Sequence, residues 1–202
     1  MVGGAKEGVV YLMDADHLAG SDHQTTLYTS PQYGNDKAAC CEGLGIWGGL
    51  STASDLEGQT WLIVPMGGPP AEGVKFPITN GPAPHGSLMA FKVVADTKTQ
   101  SPVLEPVWVS GDFDMPDPAV IANGVVFALV TGSDEVQRDG TEKRVQAGHS
   151  AVLKALDLKT GKELFNSGAA MTSWVHFSGL AVSDARVFAV DHDSNVYCFG
   201  LR

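Results

Sequence analysis

The chain has no hydrophobic run long enough to cross a membrane, and it has few positive charges. No apolar stretch approaches the roughly 20 residues of a membrane-spanning helix, and the Met-Val-Gly-Gly start lacks the regions of a signal peptide. Only 13 Lys and Arg residues stand against 23 Asp and Glu residues, a net charge of −10. Nucleic acids and anionic membranes are bound through basic patches. The composition therefore argues against both partners, and solubility alone is a sufficient reason for the acidic charge.

Cysteine is also scarce, and several catalytic motifs are missing. Three cysteines do not make a disulfide framework, and no C-x-x-C pair indicates structural zinc. The chain contains no G-x-x-x-x-G-K-[ST] phosphate loop and no G-x-S-x-G nucleophile elbow. Helical periodicity is sustained nowhere. By contrast, 24 Gly and 11 Pro among 202 residues suit a turn-rich all-β fold.

A short phrase of alternating apolar and polar residues recurs along the chain. In its clearest copy, Ala155-Leu156-Asp157-Leu158, the two-residue period predicts a half-buried strand, and Lys159-Thr160-Gly161 predicts the turn that ends it. Copies with this pattern occupy residues 9–14, 87–92, 152–157 and 195–200. The sequence therefore repeats one type of strand.

Two further phrases accompany the first. An apolar residue, an aromatic residue, a variable residue and Ser follow its first three copies, at 27–30, 107–110 and 164–167. Apolar segments precede its last three copies, at 60–64, 125–129 and 186–190, and two of these follow a further apolar strand, at 119–122 and 179–182. Asn123-Gly124 between two such strands is a strong hairpin signal. The predicted unit is four antiparallel strands.

These phrases resemble the pyrrolo-quinoline quinone (PQQ) type propeller repeat. The consensus of that repeat is a strand ending in Ala-Leu-Asp, a Thr-Gly-Lys turn and a strand ending in Trp. Residues 151–167 match it closely, and residues 9–30, 59–110 and 178–200 match it loosely. The resemblance is to bacterial PQQ-like propeller proteins of the quinoprotein alcohol dehydrogenase-like superfamily, which are commonly exported. The repeat indicates the fold but not the function, because enzymes and cofactor-free scaffolds share it.

The resemblance implies an all-β chain, a β-propeller segment of four-stranded antiparallel blades. The recurrence at roughly 40 to 50 residues agrees with that unit size, and the polar run at 133–148 is predicted to be an insertion. Residues 1–202 would form one segment of about three and a half blades, an open arc. We expect it to be the C-terminal part of a longer propeller or to assemble with a second half, because closure removes exposed sheet edges. The expected location is periplasmic or secreted if the natural N-terminus is missing, and otherwise cytoplasmic.

Most of the polar side chains that could form a site are predicted to lie at one end of the units. Connections between units, and those between the second and third strands of a unit, emerge at the same end, where binding residues are expected. The first set covers residues 31–46, 111–118 and 168–177. The second set brings His85, His149 and His192.

The cofactor candidates are Cys40, Cys41, Glu42 and Trp174. Adjacent cysteines can close a strained vicinal disulfide, and in quinoprotein alcohol dehydrogenases such a pair lies against PQQ and is followed by an acidic residue, as Glu42 follows here. The alternative is two reduced thiols in a loop, with Cys198 buried in its strand. Trp174 either stacks on a planar ligand or packs between units.

The catalytic and metal candidates lie in the same connections. Asp112 and Asp114 are candidate catalytic carboxylates beside a Ca²⁺–PQQ site, or ordinary loop residues. A transition metal shared by several imidazoles is a second possibility, with unrelated turn histidines as the alternative. The histidines concerned are His85, His149, His176 and His192.

Two functions therefore follow from the sequence. The first is a propeller repeat module that binds a protein partner or a small ligand as a scaffold. The alternative is part of a PQQ-dependent quinoprotein dehydrogenase with a vicinal-cysteine cofactor site.

Overall fold

The chain folds into four β-sheets arranged in chain order. The computed structural model describes residues 1–18, 20–21, 24–34, 44–134 and 140–200. The first sheet contains β1 (Val2–Gly4), β2 (Val10–Leu12) and β3 (Tyr28–Thr29). The second contains, in spatial order, β4 (Ser51–Ser54), β5 (Thr60–Gly67), β7 (Gly86–Ala95), β8 (Pro102–Val109) and β6 (Ile78–Thr79). The third contains β9 (Val120–Ala122), β10 (Val125–Val130), β11 (Val152–Asp157) and β12 (Glu163–Asn166), and the fourth contains β13 (Leu180–Ser183), β14 (Arg186–Val190) and β15 (Val196–Gly200).

The predicted strands and their antiparallel pairing are confirmed, and the fold consists mostly of β-sheet. Every segment predicted to be a strand contains one, and neighbouring strands are antiparallel except β6, which runs parallel to β8. Among the described residues, one α-helix, α1 (Thr141–Ala147), lies in the polar insertion and buries no residue, and one short 3-10 helix spans Gly168–Ala170. No helix within the described ranges is long and apolar enough to cross a membrane.

Three strands were not identified from the sequence. β1 contains two glycines, and Gly is depleted in strands. β4 consists of Ser51-Thr52-Ala53-Ser54, which has no large apolar residue and alternates only between half-buried and exposed positions. β6 has two residues. Tertiary pairing, rather than local propensity, makes these segments extended.

Hydrophobic clusters fill the space between consecutive sheets. The first cluster lies between the first and second sheets, the second between the second and third, and the third between the third and fourth. β5 contributes to two of them: Leu62 and Val64 belong to the first cluster, and Trp61 and Ile63 to the second. Successive strand residues point to opposite faces. The inner sheets therefore read as nearly continuous apolar runs because both faces are covered.

The recurring Ser of the sequence has one structural role in three sheets. Ser30, Ser110 and Ser167 each accept, through Oγ, the backbone N–H at the start of the preceding strand at 2.9 Å. The three donors are Val10, Leu88 and Leu153. Each Ser side chain therefore links the backbones of two neighbouring strands, and it satisfies an N–H that would be costly to bury without a partner.

A tryptophan joins the second sheet to the turn of the third. Trp108 Nε1 donates to the carbonyl oxygen of Leu158 at 2.8 Å, and the Trp108 side chain is fully buried. Gly161, which has φ +69°, closes the predicted turn, and a Cβ there would lie 2.5 Å from the Trp108 ring. The glycine is therefore required both by the turn and by the close approach of the indole.

The prediction that Cys198 is buried is wrong. Cys198 is exposed, because it lies on the outward face of β15, opposite the residues that contact the third cluster. Tyr197 and Phe199 make those inward contacts. The apolar pattern of β15 does not by itself decide which of its two faces is covered.

Candidate functional site

Connections from all four sheets meet at one end of the array, here called the connection surface. It comprises the connections between sheets together with the β1–β2, β5–β7, β10–β11 and β14–β15 connections within the four sheets. Antiparallel strands return each of these connections to the same end. Side chains from different connections contact one another there, as the following pairs describe.

Two His–Asp pairs on this surface share one connection. His85 Nδ1 lies 2.8 Å from Asp112 Oδ2, and the backbone N–H of His85 donates to Asp112 Oδ1 at 2.9 Å. His149 Nε2 lies 3.0 Å from Asp114 Oδ2. Both carboxylates come from the β8–β9 connection, whereas the imidazoles come from the second and third sheets. The four residues predicted from separate motifs therefore form two cross-linked pairs that are open to solvent.

A third group surrounds His176. Arg144 Nη2 donates to His176 Nε2 at 3.2 Å, and His176 Nδ1 lies 3.4 Å from Ser133 Oγ. Because an arginine can only donate, Nε2 must be the acceptor and Nδ1 must carry the proton. Burial and the neighbouring Arg144 charge lower the pKa of His176. This imidazole is therefore neutral at neutral pH.

Trp174 is already covered by protein groups. Its ring stacks on His192, with centroids 4.3 Å apart and planes 19° apart, and only 8% of the residue is exposed. The Arg144 guanidinium lies 5.8 Å from the ring, and Gly148 lies close against the indole. Of the two predicted roles for Trp174, packing between connections is the one that these contacts describe.

A buried carboxylate and an aromatic pair on this surface were missed by sequence reasoning. Asp117 is 4% exposed, and its Oδ2 has no hydrogen-bond partner. Burial raises the pKa of Asp117 to about 6, although the backbone N–H groups of Phe177 and Gly179 partly offset this. The Phe177 ring stacks at 5.9 Å on Trp47, and Lys6 Nζ lies 3.9 Å from the Trp47 ring centroid. No local signal separates Asp117 from Asp112 or Asp114, because its burial depends on the loop before β13.

The four predicted metal-ligating histidines do not converge on one site within the described residues. Cys40, Cys41 and Glu42 lie outside the described residues. Within the described part of the chain, no three His, Cys, Asp or Glu residues are placed to hold a metal ion. The four candidate histidines instead contact Asp112, Asp114, Arg144 and Trp174 one by one.

The described candidates do not fit a Ca²⁺–PQQ group. Such a site needs several converging oxygen ligands and an open planar surface for the quinone. Asp112 and Asp114 each point a carboxylate oxygen at a histidine, and Trp174 has its ring against His192. The sequence resemblance to quinoproteins is therefore not matched by a preformed cofactor pocket among these residues.

Comparison with known proteins leaves this surface as the main guide to function. No protein-family model matches the chain, and no curated protein matches it.

Proposed function

We propose that this chain is a PQQ-like β-propeller segment that acts as a binding scaffold, with the connection surface as its contact site. The support for the propeller is the packing order. Each sheet is packed on the next through one of three clusters, and the first strands of the later sheets lie side by side, β9 being close to both β4 and β13. Sheets that radiate from adjacent first strands are the arrangement of propeller blades.

Repeated local features support the same proposal. The Ser connector recurs at Ser30, Ser110 and Ser167. A register shift recurs between Ala90 and Phe91 and between Ala155 and Leu156, at corresponding positions of β7 and β11. Bulges of this kind are built-in features that bend a strand. Their recurrence supports one repeated structural unit in the second and third sheets.

The observation that carries the binding role is the two His–Asp pairs. His85–Asp112 and His149–Asp114 place two imidazoles and two carboxylates on neighbouring connections, where they are open to solvent. The pairs join rigid sheets, so the groups are held in place before any ligand arrives. Exposed polar groups on loops held by a rigid scaffold are typical of recognition surfaces. The partner would be a protein segment or a small polar ligand that both donates and accepts hydrogen bonds.

A thermal-shift screen tests this role with a defined library of short peptides and small polar compounds. A true ligand should raise the melting temperature of the wild-type chain, and Asp114→Ala with His149→Ala should abolish the shift. The matched control is Glu57→Ala, an exposed residue in the β4–β5 turn at the other end of the sheets. A ligand that still stabilises the double variant, or that is lost only in the control variant, would contradict the proposed site.

The alternative proposal, part of a PQQ-dependent dehydrogenase, has a separate test. Calorimetric titration with PQQ should be run with and without Ca²⁺. Saturable, metal-dependent heat that is lost in Cys40→Ser with Cys41→Ser would favour the enzyme. Absence of heat in both buffers would leave the scaffold proposal alone.

A further inference from the structure

Arg144 is a cation without a counter-charge in the described part of the chain. No ion pair there includes it, and its one side-chain hydrogen bond among those residues runs from Nη2 to Nε2 of His176, at 3.2 Å. Since the proton of that imidazole is on Nδ1, His176 is neutral and supplies no negative charge. An arginine without a carboxylate is unexpected in a chain with 23 acidic and 13 basic residues.

The guanidinium of Arg144 is partly removed from water. Its Nε is buried and has no hydrogen-bond partner, and the group lies 5.8 Å from the centre of the Trp174 ring. His176 is held in turn by Ser133, which is 2% exposed. A buried donor without an acceptor and a desolvated charge without a partner are both unfavourable. Folding has therefore already removed part of the water that an anion would have to displace.

The outer end of the same guanidinium is open to a ligand. Arg144 as a whole is half-buried, and its Nη1, unlike Nε, is not a buried atom. Nη1 and Nη2 carry parallel N–H groups whose spacing matches two oxygens of a carboxylate or a phosphate. An oxyanion can therefore approach this end while Trp174 and His176 hold the group in place.

Carboxylates on the neighbouring connections are engaged elsewhere. Asp114 lies 3.0 Å from His149, and Asp191 accepts a hydrogen bond from the hydroxyl of Tyr197 at 2.7 Å. Neither forms an ion pair with Arg144 in the described structure. An anion from solution would supply the charge that the described residues do not.

We propose that Arg144 anchors an oxyanion-binding site, with Trp174 and His176 as the residues that position it. The ligand is a carboxylate or phosphate group, either free or carried by a partner. The inference rests on the proposed binding role of the connection surface and names the chemistry of its ligand. No described hydrogen bond or ion pair joins Arg144 to the His–Asp pairs, so the two proposals can fail separately.

A nuclear magnetic resonance titration tests the site with malonate, with inorganic phosphate and with the neutral analogue malonamide. The ionic strength is held at about 0.15 M, so that unspecific attraction between charges is screened equally throughout. Malonate or phosphate should shift the Nε–H signal of Arg144 and the indole N–H signal of Trp174 saturably, and malonamide should not. Tighter binding of malonate assigns a carboxylate ligand, and tighter binding of phosphate assigns a phosphate ligand. Absence of a saturable shift with both oxyanions would overturn the proposal.

Variants of two adjacent cations show whether the anchor is specific. Arg144→Gln should weaken oxyanion binding roughly tenfold or more, because charge-assisted hydrogen bonds are lost. Lys143→Gln removes the same charge from the preceding residue of α1, and as the matched control it should bind as the wild type does. Equal weakening by both variants would indicate a diffuse charge effect and overturn the proposal. Circular dichroism identifies a variant that fails to fold, and the wild-type titration remains decisive in that case.

The pKa of His176 provides a readout that a merely structural arginine would not move. Burial and the Arg144 charge lower that pKa in the unliganded chain, and the other groups that contact the ring are Ser133, Trp174 and Phe177. An oxyanion that neutralises the guanidinium should therefore raise the pKa of His176, followed through its imidazole signals from about pH 4 to 8. An unchanged pKa at saturating oxyanion would contradict binding at Arg144.

Two carboxylates of the insertion, Glu135 and Asp139, lie outside the described residues and are tested directly. Glu135→Gln with Asp139→Asn should leave the oxyanion affinity unchanged. A rise of roughly tenfold would identify an internal counter-charge for Arg144 and overturn the proposal. Oxyanion binding without any hit in the thermal-shift screen would refute only the role of the His–Asp pairs. A screen ligand that depends on Asp114 and His149, without oxyanion binding, would refute only the site at Arg144.

Discussion

Asp117 should make the stability of this protein depend on pH in the direction opposite to that of most carboxylates. Burial holds its pKa at about 6, above its ordinary value of 3.8. The folded chain therefore binds a proton more tightly than the unfolded chain. Stability is unaffected by this group below about pH 4, falls as the pH rises through the window up to about 6, and stays lower above it.

The magnitude follows from the two pKa values. Moving the pKa from 3.8 to about 6 corresponds to about 3 kcal/mol, at about 1.4 kcal/mol for each pH unit. The cause is visible in the structure, because Asp117 is 4% exposed and Oδ2 has no partner to stabilise its charge. Asp117→Asn removes the charge and keeps one oxygen for the backbone N–H groups of Phe177 and Gly179.

Urea unfolding, followed by tryptophan fluorescence from pH 4 to pH 8, is the assay. The free energy of unfolding of Asp117→Asn relative to wild type should increase by about 2 to 3 kcal/mol between pH 4 and pH 7. The difference between the two proteins cancels the other titrating groups. Asp96→Asn is the control that should stay nearly constant relative to wild type across this range, because hydrogen bonds from Thr99 and Lys98 lower the pKa of Asp96 and place its titration below about pH 4. A constant difference between Asp117→Asn and wild type across this range would refute the reasoning.

Three further predictions concern the sheet contacts and the connection surface. Gly161→Ala should lower the free energy of unfolding by more than Gly124→Ala does. Both glycines have positive φ, but only Gly161 would place a Cβ 2.5 Å from Trp108. We expect a loss of about 1 to 2 kcal/mol for Gly124→Ala from backbone conformation alone, and equal losses would contradict the contact. Ser110→Ala should lower the free energy of unfolding, measured by chemical denaturation, by about 1 to 3 kcal/mol, because it leaves the buried Leu88 N–H without an acceptor. Ser167→Ala, at a part-buried site, should lower it by less. The reverse order would be evidence against the role of burial. Asp114→Ala should change the free energy of unfolding by less than about 1 kcal/mol, since its pair with His149 is solvent-exposed. A large fall in the melting temperature would make that pair a structural feature rather than a binding feature.

The sequence alone determined the tight turns and most of the strands of this protein. The two-residue period of Val152–Asp157 and the Asn123-Gly124 signal are local properties, and both structures form where predicted. Asn123 and Gly124 take φ values of 49° and 76°, as a two-residue hairpin needs. Backbone geometry over a few residues is sufficient for such features.

Tertiary structure decided which chemistry is paired and which faces are covered. His85 and Asp112 are 27 residues apart in the chain and meet only because two connections emerge at one end of the second sheet. Cys198 and Ala155 occupy corresponding strand positions, yet one is exposed and the other is buried. An alternating pattern states that two faces exist, but only the presence of a neighbouring sheet removes a face from water. The same reason explains Asp117, whose burial depends on a loop 60 residues further along the chain.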